Sequence, residues 1–479
     1  MFRCDQLIRD ALVVDGSGAE PIRADVAISG GRIAAVGQLR DYAAAETINA
    51  NGRALAPGFI DTHTHDDTSV VRSPEMLAKL SQGVTTVIVG NCGISAAPAR
   101  LDHGLPDPMN LLGDSEAFRY PGFASYVDAV SAARPAVNVA ALVGHTTLRN
   151  NQMDSLDRAA KADEIERMRG ELYDALNQGA LGLSTGLAYL SAFSASKEEV
   201  SSLVELLAGK GATYTTHLRN EGDAVLPAME EALGIARRCG VPLVISHLKC
   251  AGIDNWGRSS EVLDLFEAAA RRDAGCDCYP YAASSSTLDL RQVDERVKIT
   301  ITWSTPHPGV AGRTLAEIAQ AWSLPQLEAA KKLQPAGAIY HGMSEEDVRA
   351  ILQHPVTMIG SDGLPNDPRP HPRLWGTFPR VLGHYCRQLK LFSLAEAVHK
   401  MTGLSAKRFG FSGRGLIREG FYADLVLFDP DTIQDTATFE DPISPAEGIL
   451  SVWVNGELSY CNKAATGTRA GKFLPRAAS

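Results

Sequence analysis

The sequence predicts an α/β protein: a (β/α)8 TIM barrel, a small β-sandwich domain built from both chain termini, and an insertion between strands seven and eight. Three observations carry this. Eight apolar strands alternate with helical patterns through the middle of the chain. Both ends follow a strand-and-turn grammar instead. The interval 280–355 is far too long for a single crossover.

In chain order, residues 1–56 form the first part of the small domain. Its strands are Leu12–Gly16, Ala24–Ile28 and Arg32–Gly37, with Gly30-Gly31 as the hairpin turn between the last two. Residues 57–412 form the barrel, with strands near 55–60, 84–91, 136–144, 181–184, 212–216, 241–246, 275–279 and 356–361. Over 161–178, Ile165, Met168, Leu172 and Leu176 recur at three and four residues, which makes one apolar helix face. Ser196 and Glu199 give a capping-box signature ahead of Val200, Leu203 and Leu207. Helices over 223–238 and 259–272 precede their strands in the same way, and the inserted lobe covers about 284–345. Residues 413–479 return to strands at Ala423–Pro430 and Ile449–Gly456, completing the small domain.

Bulk properties narrow the function. A formal net charge of −10 without any basic run argues against nucleic acid as a partner. No apolar stretch is long enough to span a bilayer, and Met1-Phe2-Arg3-Cys4-Asp5 lacks the apolar core of a signal peptide. Eight cysteines scattered through the chain read as reduced thiols. The expectation is a soluble, cytoplasmic protein with a small-molecule partner; oligomeric state leaves no signature.

Barrel chemistry sits at the C-terminal ends of the strands. Those ends carry, in order, His63/His65, Cys92, His145, Ser184/Thr185, His217, His247, Tyr279 and Asp362. Nearly all are donors or acids. Asp61-Thr62-His63-Thr64-His65 puts two imidazoles on one face of a strand end, an arrangement that suits a metal. A buried cysteine is ordinarily a small apolar group, but Cys92 sits in the turn Gly90-Asn91-Cys92-Gly93, where a barrel ligand belongs. Cys92, His217 and His247 therefore form a tight Zn²⁺ site with an open position for water. His63, His65 and Asp362 form a second, harder set able to hold another ion weakly. Asp362, beside such a water, is the general base and acid.

Other polar groups surround this centre. Lys249 shares the face of His247 by period two and offers a grip for a substrate carboxylate. Tyr279 shares parity with Asp277, leaving Cys276 and Cys278 as packing against the helices. Arg373 could hold a carboxylate bidentately, though by itself it is one arginine among many. His145 is a pocket candidate without a role.

Taken together, these residues resemble the amidohydrolase superfamily, and more closely the N-acyl-D-amino-acid deacylase (D-aminoacylase) family. The likeness runs through Ala56–His65, Gly83–Thr86, Gly90–Ser95, Ile245–His247 and Ile359–Thr377. It implies a tight zinc at Cys92, His217 and His247, a weak site at His63, His65 and Asp362, and Asp362 as base. It further implies that Lys249, Tyr279, Ser285 and Arg373 hold the carboxylate of an N-acyl-D-amino acid. The inserted lobe is similar to one that closes over the pocket in these enzymes. Strand four ends in Ser184-Thr185 and has no lysine to become a bridging carbamate, which departs from the wider superfamily. Zinc-dependent hydrolysis of linear N-acyl-D-amino acids follows as the expectation. A cyclic-amide hydrolase of the hydantoinase or dihydroorotase kind, and a non-catalytic metal scaffold, are the alternatives.

Overall fold

The computed structural model describes residues 2–269 and 273–477, so the last part of the helix expected over 259–272 lies outside the described residues. Within the described part that helix runs Ser259–Ala269. Eight parallel strand positions follow one another in the middle of the chain. They are Phe59–Asp61, Val84–Val89, Asn138–Ala141 continued by Val143–Gly144, Gly182–Gly186, Thr213–His217, Leu243–Ile245, Ala274–Cys278 and Thr357–Ile359. Each pairs in parallel with the next; the third position is split between the two sheets, so three strands lie in one and six in the other. Asp362 N donates to His63 O at 2.8 Å, which ties the last strand back to the first.

The alternating side chains explain why these runs form strands. Ile60, Ile88, Ala140, Leu142, Leu181, Val244 and Met358 meet in one fully buried cluster contributed by strand after strand. Their neighbours of opposite parity, such as Val87, Val139, Leu243 and Ile359, join the larger core under the helices. Cys276 and Cys278 belong to that larger core, as their parity requires.

The two termini share one β layer. Ile28, Ile33 and Trp453, from strands far apart in this layer, meet in one core, yet the layer's nine strands form a single hydrogen-bonded sheet. The reason is the length of Phe2–Val13, which starts ten residues before the expected Leu12. Its first part pairs with Tyr42–Asn49, and its last two residues pair with Ala54–Pro57, so one strand serves both regions. Ala54–Pro57 then pairs antiparallel with Leu425–Phe428 from the far end of the chain. This strand pair separates two cores: Leu55, Leu425 and Leu427 face the small domain, whereas Ala54, Ala56, Val426 and Phe428 face the large one.

The long interval before the last parallel strand is a lobe with its own structure. Ser284–Thr287, Ile299–Ser304 and Ala336–Tyr340 form an antiparallel sheet. Helices Leu315–Trp322 and Gln326–Leu333 pack on it through a separate apolar core. The helix predicted over 161–178 is Ala162–Asn177, and the one over 223–238 is Val225–Cys239. Only half of the expected capping box forms: Ser196 accepts from Glu199 N, but the Glu199 carboxylate turns instead to His145, Arg149 and Ala160 N.

Candidate metal centre and active site

The donors converge because the backbone leaves the strands abruptly. Cys92, His247 and Asp362 have φ of 53°, 35° and 49°, the left-handed region that a non-glycine residue enters at a cost and mostly at functional sites. Gly360 completes the packing: a Cβ there would lie 2.5 Å from His63 Cβ. No other residue fits against that imidazole without a shift.

One ligand atom each from His63, Cys92, His247 and Asp362 lies within 4.8 Å of the other three. Cys92 Sγ is 3.2 Å from His63 Nε2 and 3.3 Å from His247 Nε2. Asp362 Oδ1 is 3.5 Å from His63 Nε2 and 3.1 Å from His65 Nε2. His217 packs edge-on against His247, ring centroids 4.4 Å apart, and groups with His247 and Glu221. All six expected ligands are thus neighbours. The tightest foursome draws from both expected sets instead of keeping them apart.

Behind these ligands stand acids that the sequence reading missed. Asp277 lies 3.2 Å from His63 Nδ1 and accepts from His247 N at 2.9 Å. Glu221 Oε1 lies 3.0 Å from His247 Nδ1. A carboxylate on the outer nitrogen fixes an imidazole's tautomer and leaves Nε2 free to ligate. The parity of Asp277 on a buried strand was its only signal; Glu221 lies in a loop and had none. Lys79 was missed as well: completely buried, it reaches Asp61 at 2.8 Å, Asp66 at 3.0 Å and Ser361 Oγ at 3.1 Å. Asp61 in turn accepts from Ser361 N, so this cluster joins the His63 segment to the Asp362 segment.

Burial pushes the Cys92 thiol up, but His63 and His247 outweigh it and hold the group well below its usual range. Burial likewise raises Asp362, and Arg373 followed by His63 holds it down as a carboxylate. A buried thiolate, several imidazoles and a carboxylate are a donor set that fits zinc. His65 Nδ1 and His217 Nδ1 are buried without a partner, two further nitrogens the protein itself leaves unsatisfied.

A cavity of about 890 Å³ opens beside the centre, lined in part by His217, His247, Asp362, Lys249, Tyr279 and Ser285. Arg373 is fully buried, with Nη2 2.9 Å from Asp362 Oδ2 and donating to Ser285 O at 3.0 Å. Its guanidinium lies over the Tyr279 ring at 4.5 Å. Arg373 Nε and Nη1 and Ser285 Oγ have no partner among the described residues. Lys249 Nζ, expected to grip a substrate carboxylate, is 2.6 Å from Glu221 Oε1 and 2.6 Å from His247 Nδ1. His145 does not line this cavity. It bonds to Glu199 at 2.9 Å within a buried network with Arg149, so its role there is structural. At the end of strand four, Ser184 Oγ bonds to Gly90 O and accepts from Gly93 N, a support for the Cys92 turn.

Known proteins of similar sequence and fold place the chain in a family. The amidohydrolase family model matches residues 46–460. D-aminoacylase of Alcaligenes xylosoxydans xylosoxydans is 50% identical over 99% of this chain and 98% of its own. A crystal structure of D-aminoacylase superposes with a TM-score of 0.97 at 49% identity, covering 99% of this chain and 100% of the other. N-acyl-D-glutamate deacylase from Bordetella bronchiseptica, solved with zinc and a phosphonate mimic of the tetrahedral intermediate, superposes with a TM-score of 0.95. Identity there is 45%, with 99% and 100% coverage. On ligand chemistry, fold and full-length likeness alike, the chain belongs to the amidohydrolase family.

Proposed function

We propose that the protein is a metal-dependent deacylase that hydrolyses N-acyl-D-amino acids to a carboxylate and the free D-amino acid. The observation that carries this reading is the convergence of Cys92, His63, His247 and Asp362 beside a buried arginine with unpartnered nitrogens. The D-configuration rests on the relatives. The architecture is read as a closed (β/α)8 barrel over 57–412 with its lobe at about 284–345, and one small β domain from 1–56 and 413–479.

The metal is read as zinc, held tightly by Cys92, His217 and His247, with a weaker site at His63, His65 and Asp362. When bound, zinc supplies Lewis-acid polarisation of the acyl carbonyl and a water of lowered pKa. Arg373 holds Asp362 Oδ2, which leaves Oδ1 as the working oxygen. Asp362 takes the proton of the attacking water and returns it to the departing amine nitrogen. Arg373 Nη1 and Ser285 Oγ receive the substrate carboxylate through single charge-assisted and neutral hydrogen bonds. Tyr279 supports the guanidinium through its ring face. Lys249 adds positive charge while shared with Glu221. No described helix is long and apolar enough to cross a membrane, and none of the eight cysteines is paired in a disulfide, which supports a reducing compartment such as the cytoplasm.

The test is hydrolysis of N-acetyl-D-methionine against its L-enantiomer by zinc-loaded protein. Asp362→Asn should keep the tight zinc and lower kcat by about 10²–10⁴-fold; an unchanged kcat rules out the assigned base. Cys92→Ala should lose zinc and activity together.

A further inference from the structure

The geometry points to a deacylase selective for neutral, apolar D-side chains, in which the Asp289–Arg291 pair turns acidic side chains away. This deepens the proposed function and rests on it.

Among the described residues that line the cavity, the lysines and arginines are Arg219, Lys249 and Arg291. Each already has a carboxylate. Lys249 is paired with Glu221 at 2.6 Å. Arg219 grips Glu231 with two nitrogens, at 2.9 and 2.8 Å. Arg291 grips Asp289 with Nε at 3.0 Å and Nη2 at 2.6 Å, and Nη2 also donates to Ala188 O at 2.8 Å. The α-carboxylate of a substrate has the unpartnered nitrogens of Arg373. A second carboxylate, on the side chain, has no such group. It must take Lys249 or Arg219 from a mostly buried carboxylate, compete with the two-nitrogen grip of Asp289 on the more open Arg291, or lose its hydration without a counter-charge.

The wall also carries acid without a cation. Asp107 takes only the Thr287 hydroxyl, at 3.2 Å, and Asp223 only the Asn255 amide, at 2.9 Å. Both are exposed, so their pull on a cationic side chain is screened and weak. Apolar surface at the same wall is ample: Leu190 is 64% exposed and Phe193 47%, with the Arg291 guanidinium 5.5 Å from the Phe193 ring centre. An apolar substrate side chain that covers this surface gains from burial and breaks no ion pair.

Zinc-loaded wild-type protein should be assayed on N-acetyl-D-leucine, N-acetyl-D-glutamate and N-acetyl-D-arginine. The expected kcat/KM for the leucine substrate exceeds both others, the glutamate one by roughly 100-fold. Equal use of leucine and glutamate, or a preference for glutamate or arginine, overturns the inference while leaving the deacylase reading intact. Hydrolysis of none of the three overturns the deacylase reading and this inference with it. Asp289→Asn frees Arg291 and should shrink the leucine-to-glutamate ratio at least about tenfold. A folded Asp289→Asn protein with an unmoved ratio removes the assigned role of the pair, and the wild-type panel stands whether or not that variant folds.

Discussion

Lys79→Met isolates the buried charge cluster that joins the two ligand-bearing segments. Lys79 has no solvent exposure and lies 2.8 Å from Asp61 and 3.0 Å from Asp66, themselves buried. Removing the cation leaves two carboxylates in a place where neither can be hydrated. Breaking a buried pair in this way costs about 3–5 kcal/mol. Spread over the unfolding entropy of a chain this long, that lowers the melting temperature by about 3–5 °C. The interaction is tested by a cycle with Asp61→Asn, followed by calorimetry on zinc-loaded proteins. Asp61→Asn should cost less in the Lys79→Met background than in the wild type, with a coupling of at least about 1 kcal/mol. Since Asp61 also accepts from Ser361 N at 2.8 Å, kcat should fall along with stability as Asp362 loses its register against His63. A Lys79→Met protein that melts within about 1 °C of wild type would refute the reasoning.

Other expectations concern neighbouring features. Burial pushes the Glu199 carboxyl up, but the His145 and Arg149 N–H donors outweigh it and hold the group down at about 2. Burial keeps His145 itself neutral, so Arg149 supplies the balancing charge. A carboxyl depressed from 4.5 to about 2 contributes stability that is fully present above pH 4.5 and lost as pH falls towards 2. Glu199→Gln should therefore lose roughly 3 kcal/mol at neutral pH and unfold with a shallower dependence between those limits, read by acid titration of circular dichroism. Glu221→Gln should weaken zinc binding by about 10–100-fold in competition with a chelator, and unaltered affinity would remove Glu221 as the support of His247. Gly360→Ala puts a methyl 2.5 Å from His63 Cβ and should cost about 1–3 kcal/mol together with lowered turnover.

The candidate metal ligands were legible because each follows an apolar run that can only be a buried strand. Val84–Val89 before Cys92, Thr213–Thr216 before His217 and Thr357–Ile359 before Asp362 fix the position of the donor before any contact is known. The residues that support them were not. Lys79 sits in Leu77-Ala78-Lys79-Leu80, which reads as a short surface helix, and only the fold reveals two aspartates waiting for its ammonium. Glu221 is a loop residue whose partners come from two strands. Period-two reasoning brought Lys249 to His247 but could not foresee that Glu221 would hold it, since the strand ends at Ile245 and the backbone then turns left-handed. Tyr42–Asn49 escaped notice because its alanine-rich, largely exposed sequence lacks alternation, and with it went the continuity of the nine-stranded sheet. His145 misled for the opposite reason: a histidine after a strand looks like a pocket group until its buried glutamate is seen.

The seam between Ala54–Pro57 and Leu425–Phe428 sets an order on biosynthesis. A ribosome delivers the first of these segments well before the second, with the whole run of parallel strands made in between. Until then the amino-terminal ribbon offers an unclaimed backbone edge to any passing strand. Release of a prematurely terminated chain would leave that edge open for good, and aggregation through it, more than loss of catalysis, would be the mark of such a truncation.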